Sequence, residues 1–239
     1  MTWTVPDAAV YFRLSLKRVV RLAPFCLNSL LSNSTEWRFL METIRGRKSL
    51  ELDFNGLMDR LANYHCITLD LGTGDGRYVR TLAEEHPDRF IIGLDSCREN
   101  LREHSQAKLQ NALFVIASAQ DLPLEFNGLM SHVTINFPWG SLLESLLTGD
   151  SKLLNGLGSM ACSKTSLTLH LNGGALAEAG TTLEAGVEKI YGNLVQSGWQ
   201  IEDPVAMDVN ALRRFPSTWA KRLAFGRDPR ALILSGCLK

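Results

Sequence analysis

A short apolar strand that runs directly into a glycine-rich loop constrains the fold of this chain more than any other feature. Residues 67–71 are mostly apolar, and the loop that follows reads Gly72-Thr73-Gly74-Asp75-Gly76 ahead of a helix-compatible stretch. Glycine allows the backbone to turn with positive φ and to approach a ligand closely. The pattern therefore predicts a βα unit with a ligand-binding loop at the carboxyl end of its strand.

Apolar runs and helical patterns alternate from this strand to the C-terminus, which indicates βαβ units on a parallel sheet. We predict strands at residues 67–71, 90–95, 112–117, 131–137, 165–171, 199–207 and 230–237. Helical spacing follows Gly76 and recurs at residues 98–109, 141–147 and 183–195. The expected fold class is α/β, a doubly wound, seven-stranded and mostly parallel sheet whose last two strands form a hairpin with a reversed edge strand.

The composition argues against a membrane protein and against a metal site. The longest apolar stretch, residues 19–31, is interrupted by Arg21 and Asn28, whereas a membrane span needs ~18 or more apolar residues. The five cysteines are widely spaced without a C-x-x-C pair, and no two of the five histidines are four residues apart. We therefore expect reduced thiols, no metal, and a cytoplasmic protein.

Charge is distributed unevenly, although the formal net charge is zero. Residues 1–40 carry five bases and two acids, residues 41–209 carry thirteen and twenty-two, and residues 210–239 carry seven and one. Basic ends are typical of a phosphate-contacting surface, and ordinary solvated faces remain the alternative. Residues 1–40 also end in a Ser/Asn-rich linker, so we expect an N-terminal extension, either a leader or a docking arm, before a main domain at 41–239.

The glycine-rich loop differs from a dinucleotide-binding fingerprint. That fingerprint would place a third glycine at position 77, which is Arg77 here. An acidic residue before the loop, Asp70, instead predicts a cofactor that lacks a pyrophosphate and carries an ammonium group, and S-adenosylmethionine is that cofactor. Asp95 ends the second strand, where it can accept both ribose hydroxyls. Residues 118–123 follow the third strand, where they can contact the adenine edge.

The fourth strand ends in Asn136-Phe137-Pro138-Trp139-Gly140-Ser141, where base-modifying methyltransferases place a polar-Pro-aromatic tetrad. An extruded base can stack on Trp139 while the Asn136 carbonyls accept from its amino group, or Trp139 is a buried core residue. A second tryptophan, Trp219, lies beside bases near the C-terminus. Extrusion costs a few kcal/mol and each stacking contact returns ~1–3 kcal/mol, so we expect the two indole rings to converge around a gap as thick as one purine.

These motifs together resemble the aminoglycoside-resistance 16S ribosomal RNA (adenine) N1-methyltransferases. The resemblance rests on residues 70–76, Asp95, residues 137–140 and above all residues 217–227, and it runs from about residue 41 to the C-terminus. It implies a class I S-adenosylmethionine-dependent methyltransferase fold, a decoding-site adenine as substrate and the 30S subunit as partner. Because adenine N1 carries an in-plane lone pair, no general base is required, and orientation alone can supply up to ~7–11 kcal/mol.

The resemblance also implies roles for individual residues in a monomer. The cofactor would be held by Asp70, Gly72, Gly74, Asp95, Ala119, Gln120, Ser141 and Ser217. The flipped adenine would be held by Trp139, Trp219 and Asn136. RNA phosphates would be held by Lys221, Arg222, Arg227 and Arg230. Three segments depart from the family pattern: residues 1–40 have no counterpart, residues 102–111 hold a single lysine, and Asp228-Pro229 interrupts a basic run.

Other functions fit the same residues. One is a different RNA base methyltransferase, acting on an adenine N6 amino group or on a tRNA guanine N7. Another is an RNA-binding homologue that keeps the cofactor fold with little activity. A small-molecule methyltransferase fits less well, because it gains nothing from Lys221, Arg222 and Arg227 beside Trp219.

Overall fold

The computed structural model describes residues 40–225 and 228–238. In chain order the elements are β1 (Met41–Arg45), β2 (Lys48–Leu52), α1 (Phe54–Leu61), β3 (Ile67–Leu71), α2 (Arg77–Glu85), β4 (Phe90–Asp95), α3 (Arg98–Leu101), β5 (Ala112–Ile116), β6 (Met130–Asn136), α4 (Gly140–Thr148), α5 (Ser151–Met160), β7 (Ala161–Asn172), α6 (Gly173–Glu178), α7 (Leu183–Gln196), β8 (Trp199–Ile201), β9 (Val205–Met207), α8 (Val209–Arg214), α9 (Thr218–Leu223) and β10 (Ala231–Leu238). Two 3₁₀ turns cover His104–Gln106 and Leu124–Phe126.

The sheet has the order β2-β1-β5-β4-β3-β6-β7-β10-β8, and β9 pairs with β10. The five strands from β5 to β7 in this order are parallel, and β10 is antiparallel to its neighbours. The chain moves outward from β3 to β5 and then returns to the other side of β3. The crevice at such a switch point lies at the carboxyl ends of the strands, where this fold class binds its ligands. The doubly wound, mostly parallel sheet predicted from the sequence is confirmed.

Alternate residues of the central strands pack on opposite faces of the sheet. Ile91 belongs to a smaller cluster that includes Val79 and Ala83 of α2, whereas its neighbours Phe90 and Ile92 belong to the large main core. These strands are apolar on both faces because helices cover them from both sides.

Three details differ from the sequence-based prediction. The described residues form ten strands rather than seven, because an unpredicted β1–β2 hairpin pairs with β5 and residues 199–207 divide into β8 and β9. The division falls beside Pro204, which has no N–H to donate. The reversed strand β10 lies inside the sheet between β7 and β8, not at its edge.

The predicted helix at residues 98–109 is only the single turn α3 followed by a 3₁₀ turn. Here a tertiary contact overrides helical spacing. The chain turns so that Ser105 Oγ accepts a 2.9 Å hydrogen bond from Gly46 N in the β1–β2 connection.

Several predictions concern residues that the structure does not describe. The N-terminal extension predicted for residues 1–40 consists almost entirely of residues 1–39, which lie outside the described residues. Arg227 also lies outside them. Within residues 40–225 and 228–238, no helix is both long enough and apolar enough to span a bilayer. In the same residues, no group of three His, Cys, Asp or Glu side chains is placed to hold a metal ion.

Candidate cofactor and nucleobase site

Asp70, the penultimate residue of β3, is at the centre of a buried hydrogen-bond network. Its Oδ1 atom accepts hydrogen bonds from Thr134 Oγ1 at 2.9 Å and from Asn136 Nδ2 at 2.7 Å. The side-chain oxygen of Asn136 lies 2.8 Å from Nδ1 of His170. These residues come from the neighbouring parallel strands β3, β6 and β7, and Asn136 and His170 are register partners. The side-chain amide of Asn136 is therefore used inside the protein.

The other carboxylate oxygen of Asp70 is a candidate contact for a ligand. Oδ2 of Asp70 is buried and makes no hydrogen bond of ordinary geometry among the described residues, and the Thr73 hydroxyl, which interacts with the carboxyl group, is likewise unpartnered. Burial raises the pKa of this carboxyl group from 3.8 to about 6, because the charged form loses its hydration. A buried acceptor without a donor is costly. Asp70 therefore fits a cationic donor such as the ammonium group of S-adenosylmethionine.

The glycine-rich loop brings the backbone next to Asp95. Gly72 and Gly74 have φ values of 73° and 60°, in the left-handed region that favours glycine. Asp95 accepts hydrogen bonds from Gly74 N and Cys97 N, each at 2.8 Å. Burial raises the pKa of the Asp95 carboxyl group. Since each carboxylate oxygen has a second lone pair, Asp95 can still accept ribose hydroxyls.

Gln120 links the turn after β5 to the start of α4. Its Nε2 atom donates to Ser145 Oγ at 2.7 Å and to the backbone oxygen of Ser141 at 3.3 Å. Ala119 packs against the main core, and Ser141 is exposed in the first turn of α4. The structure therefore brings Ala119, Gln120 and Ser141 together at the same edge of the sheet as Asp70.

Trp139 and Trp219 lie against each other although 80 residues separate them. Their ring centroids are 5.6 Å apart and the ring planes differ by 16°. The two side chains remain 41% and 44% exposed, so Trp139 is not a core residue. Convergence of the two indoles was predicted, but the predicted gap is closed. Stacked bases are spaced by ~3.4 Å, so a base between the rings requires roughly twice that separation. In the absence of a base, stacking hides both apolar faces from water.

The turn that presents Trp139 has a strained backbone. Phe137 has a φ of 52°, a value that is uncommon for residues other than glycine and is concentrated at functional sites. Its N–H donates to the His170 oxygen at 2.9 Å, and its ring meets Phe215 edge to face at 5.3 Å. These contacts hold Phe137 inside, so that Trp139, two residues later, projects outward.

The segment that carries Trp219 is attached to the glycine-rich loop. Thr218 Oγ1 donates a hydrogen bond to Asp75 Oδ2 at 2.5 Å. Phe215 stacks on Tyr78 of α2, with centroids 5.2 Å apart and planes within 4°. Ser217 lies between Phe215 and Thr218 at the N-cap position of α9, and its side chain makes no capping hydrogen bond. The glycine-rich loop and the segment that carries Trp219 are therefore in direct contact.

The predicted RNA-contacting bases fall into three groups. Lys221 and Arg222 are exposed on α9, and the Arg222 guanidinium lies 5.6 Å from the Trp219 ring centroid. Arg227 lies outside the described residues. Arg230 is bound to Asp228 at 2.9 Å and to Glu184 at 2.8 Å. Arg230 is thus paired with two carboxylates, and its contact with RNA stays a prediction.

Sequence reasoning missed four participants in this site: Thr134, His170, Asp75 and Phe215. Burial lowers the pKa of His170 to about 4, so it is neutral at pH 7 and can orient the Asn136 amide. Its position as a polar residue near the carboxyl end of an apolar strand parallel to β6 was the available signal. No local pattern could reveal the pairing of Asp75 with the distant Thr218.

Comparison with known proteins gives a consistent family. A family model described as 16S rRNA (adenine(1408)-N(1))-methyltransferase matches residues 42–238. An Escherichia coli protein of that name is 30% identical over 214 residues, which cover 82% of this chain and 98% of that protein.

Solved structures agree with this comparison. The crystal structure of the 16S rRNA methyltransferase KamB aligns with a TM-score of 0.75 and 26% identity, covering 83% of this chain and 100% of that chain. A mutant 16S rRNA (adenine(1408)-N(1))-methyltransferase from Catenulisporales acidiphilia, solved with cosubstrate SAM, aligns with a TM-score of 0.73, 24% identity and coverage of 83% and 96%. The class I methyltransferase fold is thereby confirmed. Since the family model spans nearly all of the described residues, this chain belongs to the 16S rRNA (adenine(1408)-N(1))-methyltransferase family.

Proposed function

We propose that this protein is a cytoplasmic monomer that uses S-adenosylmethionine to methylate N1 of the decoding-site adenine in the 30S subunit, and that the product confers aminoglycoside resistance. The observation that carries the proposal is the stacked pair Trp139 and Trp219 beside the Asp70 network. A pair of exposed indoles at the carboxyl edge of a methyltransferase sheet has the chemistry to hold a planar base.

The described residues fit the cofactor. When bound, S-adenosylmethionine supplies an electrophilic methyl group on its sulfonium. Asp70 Oδ2 is free to accept from an ammonium group, and Asp95 is placed to accept from ribose hydroxyls. A Cβ atom at Gly74 would meet nothing within 4 Å, so the loop leaves open space above its backbone. Gln120 and Ser141, which are joined by a hydrogen bond, are the polar groups proposed to contact the adenine ring of the cofactor.

The aromatic pair provides the binding energy for the flipped base. Separating the two indoles costs ~0.5–1.5 kcal/mol of ring–ring interaction. Two new base–aromatic contacts return ~1–3 kcal/mol each, which exceeds that cost and offsets the few kcal/mol of extrusion. The Arg222 guanidinium, 5.6 Å from the Trp219 ring centroid, adds a cation for the RNA backbone.

The residues around the aromatic pair orient rather than exchange protons. Neutral adenine N1 has a lone pair in the ring plane, so its attack requires no base. His170 is buried and its pKa is lowered to about 4, and it already faces the Asn136 amide. Asp70 is likewise held by Thr134 and Asn136. The proposed contribution of this chain is therefore to fix the base in line, where orientation can supply up to ~7–11 kcal/mol.

Single-turnover methylation of 30S subunits with Trp139→Ala and Trp219→Ala tests the proposal, with cofactor affinity measured by calorimetry. We expect both variants to lose methyl transfer while cofactor affinity stays close to wild type. The matched control is Phe54→Ala, which removes another exposed aromatic, 46% exposed on α1, and should change neither quantity. Methyl transfer that survives both tryptophan substitutions would contradict a base held between the rings.

A further inference from the structure

A cleft lined by basic side chains opens beside the segment that carries Trp219. Its volume is about 360 Å³, and four bases line it: Arg77 and Arg80 of α2, Arg214 of α8 and Lys221 of α9. The rest of the lining is Thr81, Glu84, His104 and Pro216. In residues 41–209 acids outnumber bases by twenty-two to thirteen. Two arginines from this acidic stretch therefore line the same cleft as two bases from the basic C-terminal part. Charge of one sign that lines a cleft raises the local concentration of oppositely charged ligands, here anions.

The cleft begins within one helical turn of the proposed base-binding slot. Arg77 directly follows the glycine-rich loop, and its backbone N–H donates to Asp75 Oδ1 at 3.0 Å. The other carboxylate oxygen of Asp75 accepts from Thr218, and Lys221 lies three residues further along α9. The Asp75–Thr218 contact thus joins the two sides of the cleft next to Trp219.

The lining favours phosphate over a protein partner. Pro216 is the one apolar residue among those that line the cleft, whereas the cores of protein interfaces are enriched in apolar and aromatic side chains. Guanidinium groups bind phosphate in a bidentate manner. Arg80 is paired with Glu84 at 2.8 Å, and both side chains are nearly half exposed. An exposed pair of this kind contributes ~0–1 kcal/mol, so a phosphate group can displace the carboxylate.

We infer that the cleft formed by Arg77, Arg80, Arg214 and Lys221 binds RNA backbone phosphates next to the nucleotide that is methylated. The inference rests on the proposed function and extends it, because Arg77, Arg80 and Arg214 are not part of the surface expected from the sequence. According to this inference the RNA strand crosses α2 as well as α9. The helices on both sides of the Asp75–Thr218 hydrogen bond then contact the RNA backbone.

The test is the double variant Arg77→Gln/Arg80→Gln, with affinity measured against 30S subunits and against a short single-stranded RNA over a range of KCl concentrations. Each lost phosphate contact should weaken binding and reduce the magnitude of the log–log salt slope by roughly 0.7–0.9. Cofactor affinity and melting temperature should stay at wild-type values. The control Lys164→Gln/Lys189→Gln removes two exposed lysines outside the cleft and should leave both RNA affinities unchanged.

A charge change in the other direction provides a second arm. Glu84→Gln removes the carboxylate that competes for Arg80, so it should strengthen RNA binding at low salt. Wild-type affinity and salt slope in the double variant for both RNA probes, or no gain in Glu84→Gln, would overturn the inference and favour another acidic partner. If wild-type protein failed to methylate 30S subunits but still bound RNA through these arginines, the proposed function would fail while the phosphate cleft stood.

Discussion

The hydroxyl group of Thr218 donates a 2.5 Å hydrogen bond to the carboxylate of Asp75, which lies 143 residues earlier in the chain. One residue belongs to the cofactor loop and the other immediately precedes Trp219. The bond therefore connects the place where the methyl donor is proposed to bind with one wall of the base-binding slot. Tyr78 and Phe215, each three residues from one partner of the bond, reinforce this connection by stacking on each other.

Thr218→Val removes this hydrogen bond while keeping the side-chain shape. A hydrogen bond to a charged group is worth ~1.5–3 kcal/mol, so the variant should methylate 30S subunits about tenfold or more slowly. Cofactor affinity should change little, and Thr218→Ser should restore the rate. Thr148→Val is the control, because the Thr148 hydroxyl bonds only within α4, to Glu144 O and Ser145 O. Equal rates in the two valine variants would show that the Asp75 contact does not position Trp219.

Cofactor binding should depend on pH through Asp70. Burial raises the pKa of Asp70 to about 6, so its carboxylate is formed above that pH and is neutralised below it. Cofactor affinity measured by calorimetry should be constant above pH 7 and fall about tenfold per pH unit below pH 6. Asp70→Asn should bind weakly at every pH. A pH-independent affinity in the wild type would exclude Asp70 as the partner of the cofactor ammonium.

The same shift affects the stability of the protein without cofactor. Because the folded pKa of Asp70 lies above the unfolded value, its neutral form adds stability that is fully present below pH 3.8 and is lost as pH rises through about 6. Bound cofactor supplies a counter-charge to the carboxylate. The increase in melting temperature caused by cofactor should therefore be larger at pH 7.5 than at pH 5.5, and Asp70→Asn should remove that difference.

Alanine substitutions at two glycines distinguish a loss of cofactor affinity caused by backbone strain from one caused by contact with the cofactor. Gly74 and Gly128 have φ values of 60° and 70°, and a Cβ atom at either would meet nothing within 4 Å. Alanine at each position should cost a similar ~1–2 kcal/mol of unfolding free energy, measured by urea denaturation. Only Gly74→Ala places a methyl group in the proposed cofactor space, so it alone should lose cofactor affinity. Equal affinity losses in both variants would mean that the Gly74 loop does not face the cofactor.

The sequence predicts those parts of the site that depend on a single strand and its loop. Asp70, Gly72, Gly74 and Asp95 follow apolar strands, and parallel strands bring their carboxyl ends to one edge of the sheet. The predicted convergence of Trp139 and Trp219 is also found. It came from the family resemblance together with the stacking argument, because no periodicity relates residues 80 positions apart.

The missing parts depend on tertiary contacts. The inward orientation of the Asn136 amide is set by His170, which only the β6–β7 register places beside it. The pairing of Arg230 with Asp228 and Glu184 was also not foreseen, and the contact of Arg230 with RNA stays a prediction. The closed stack of the tryptophans reflects water exclusion from two apolar faces, which composition does not reveal. The β1–β2 hairpin was missed because its exposed, charged strand β2 lacks an apolar alternation.

Nucleoside mass spectrometry of 16S rRNA tests the central claim most directly, after purified protein and S-adenosylmethionine are incubated with 30S subunits. The account predicts one 1-methyladenosine per subunit at a single decoding-site adenine, absent with Trp219→Ala. N6-methyladenosine, methylated guanine, or unmodified RNA from protein that binds the cofactor at wild-type strength would contradict it.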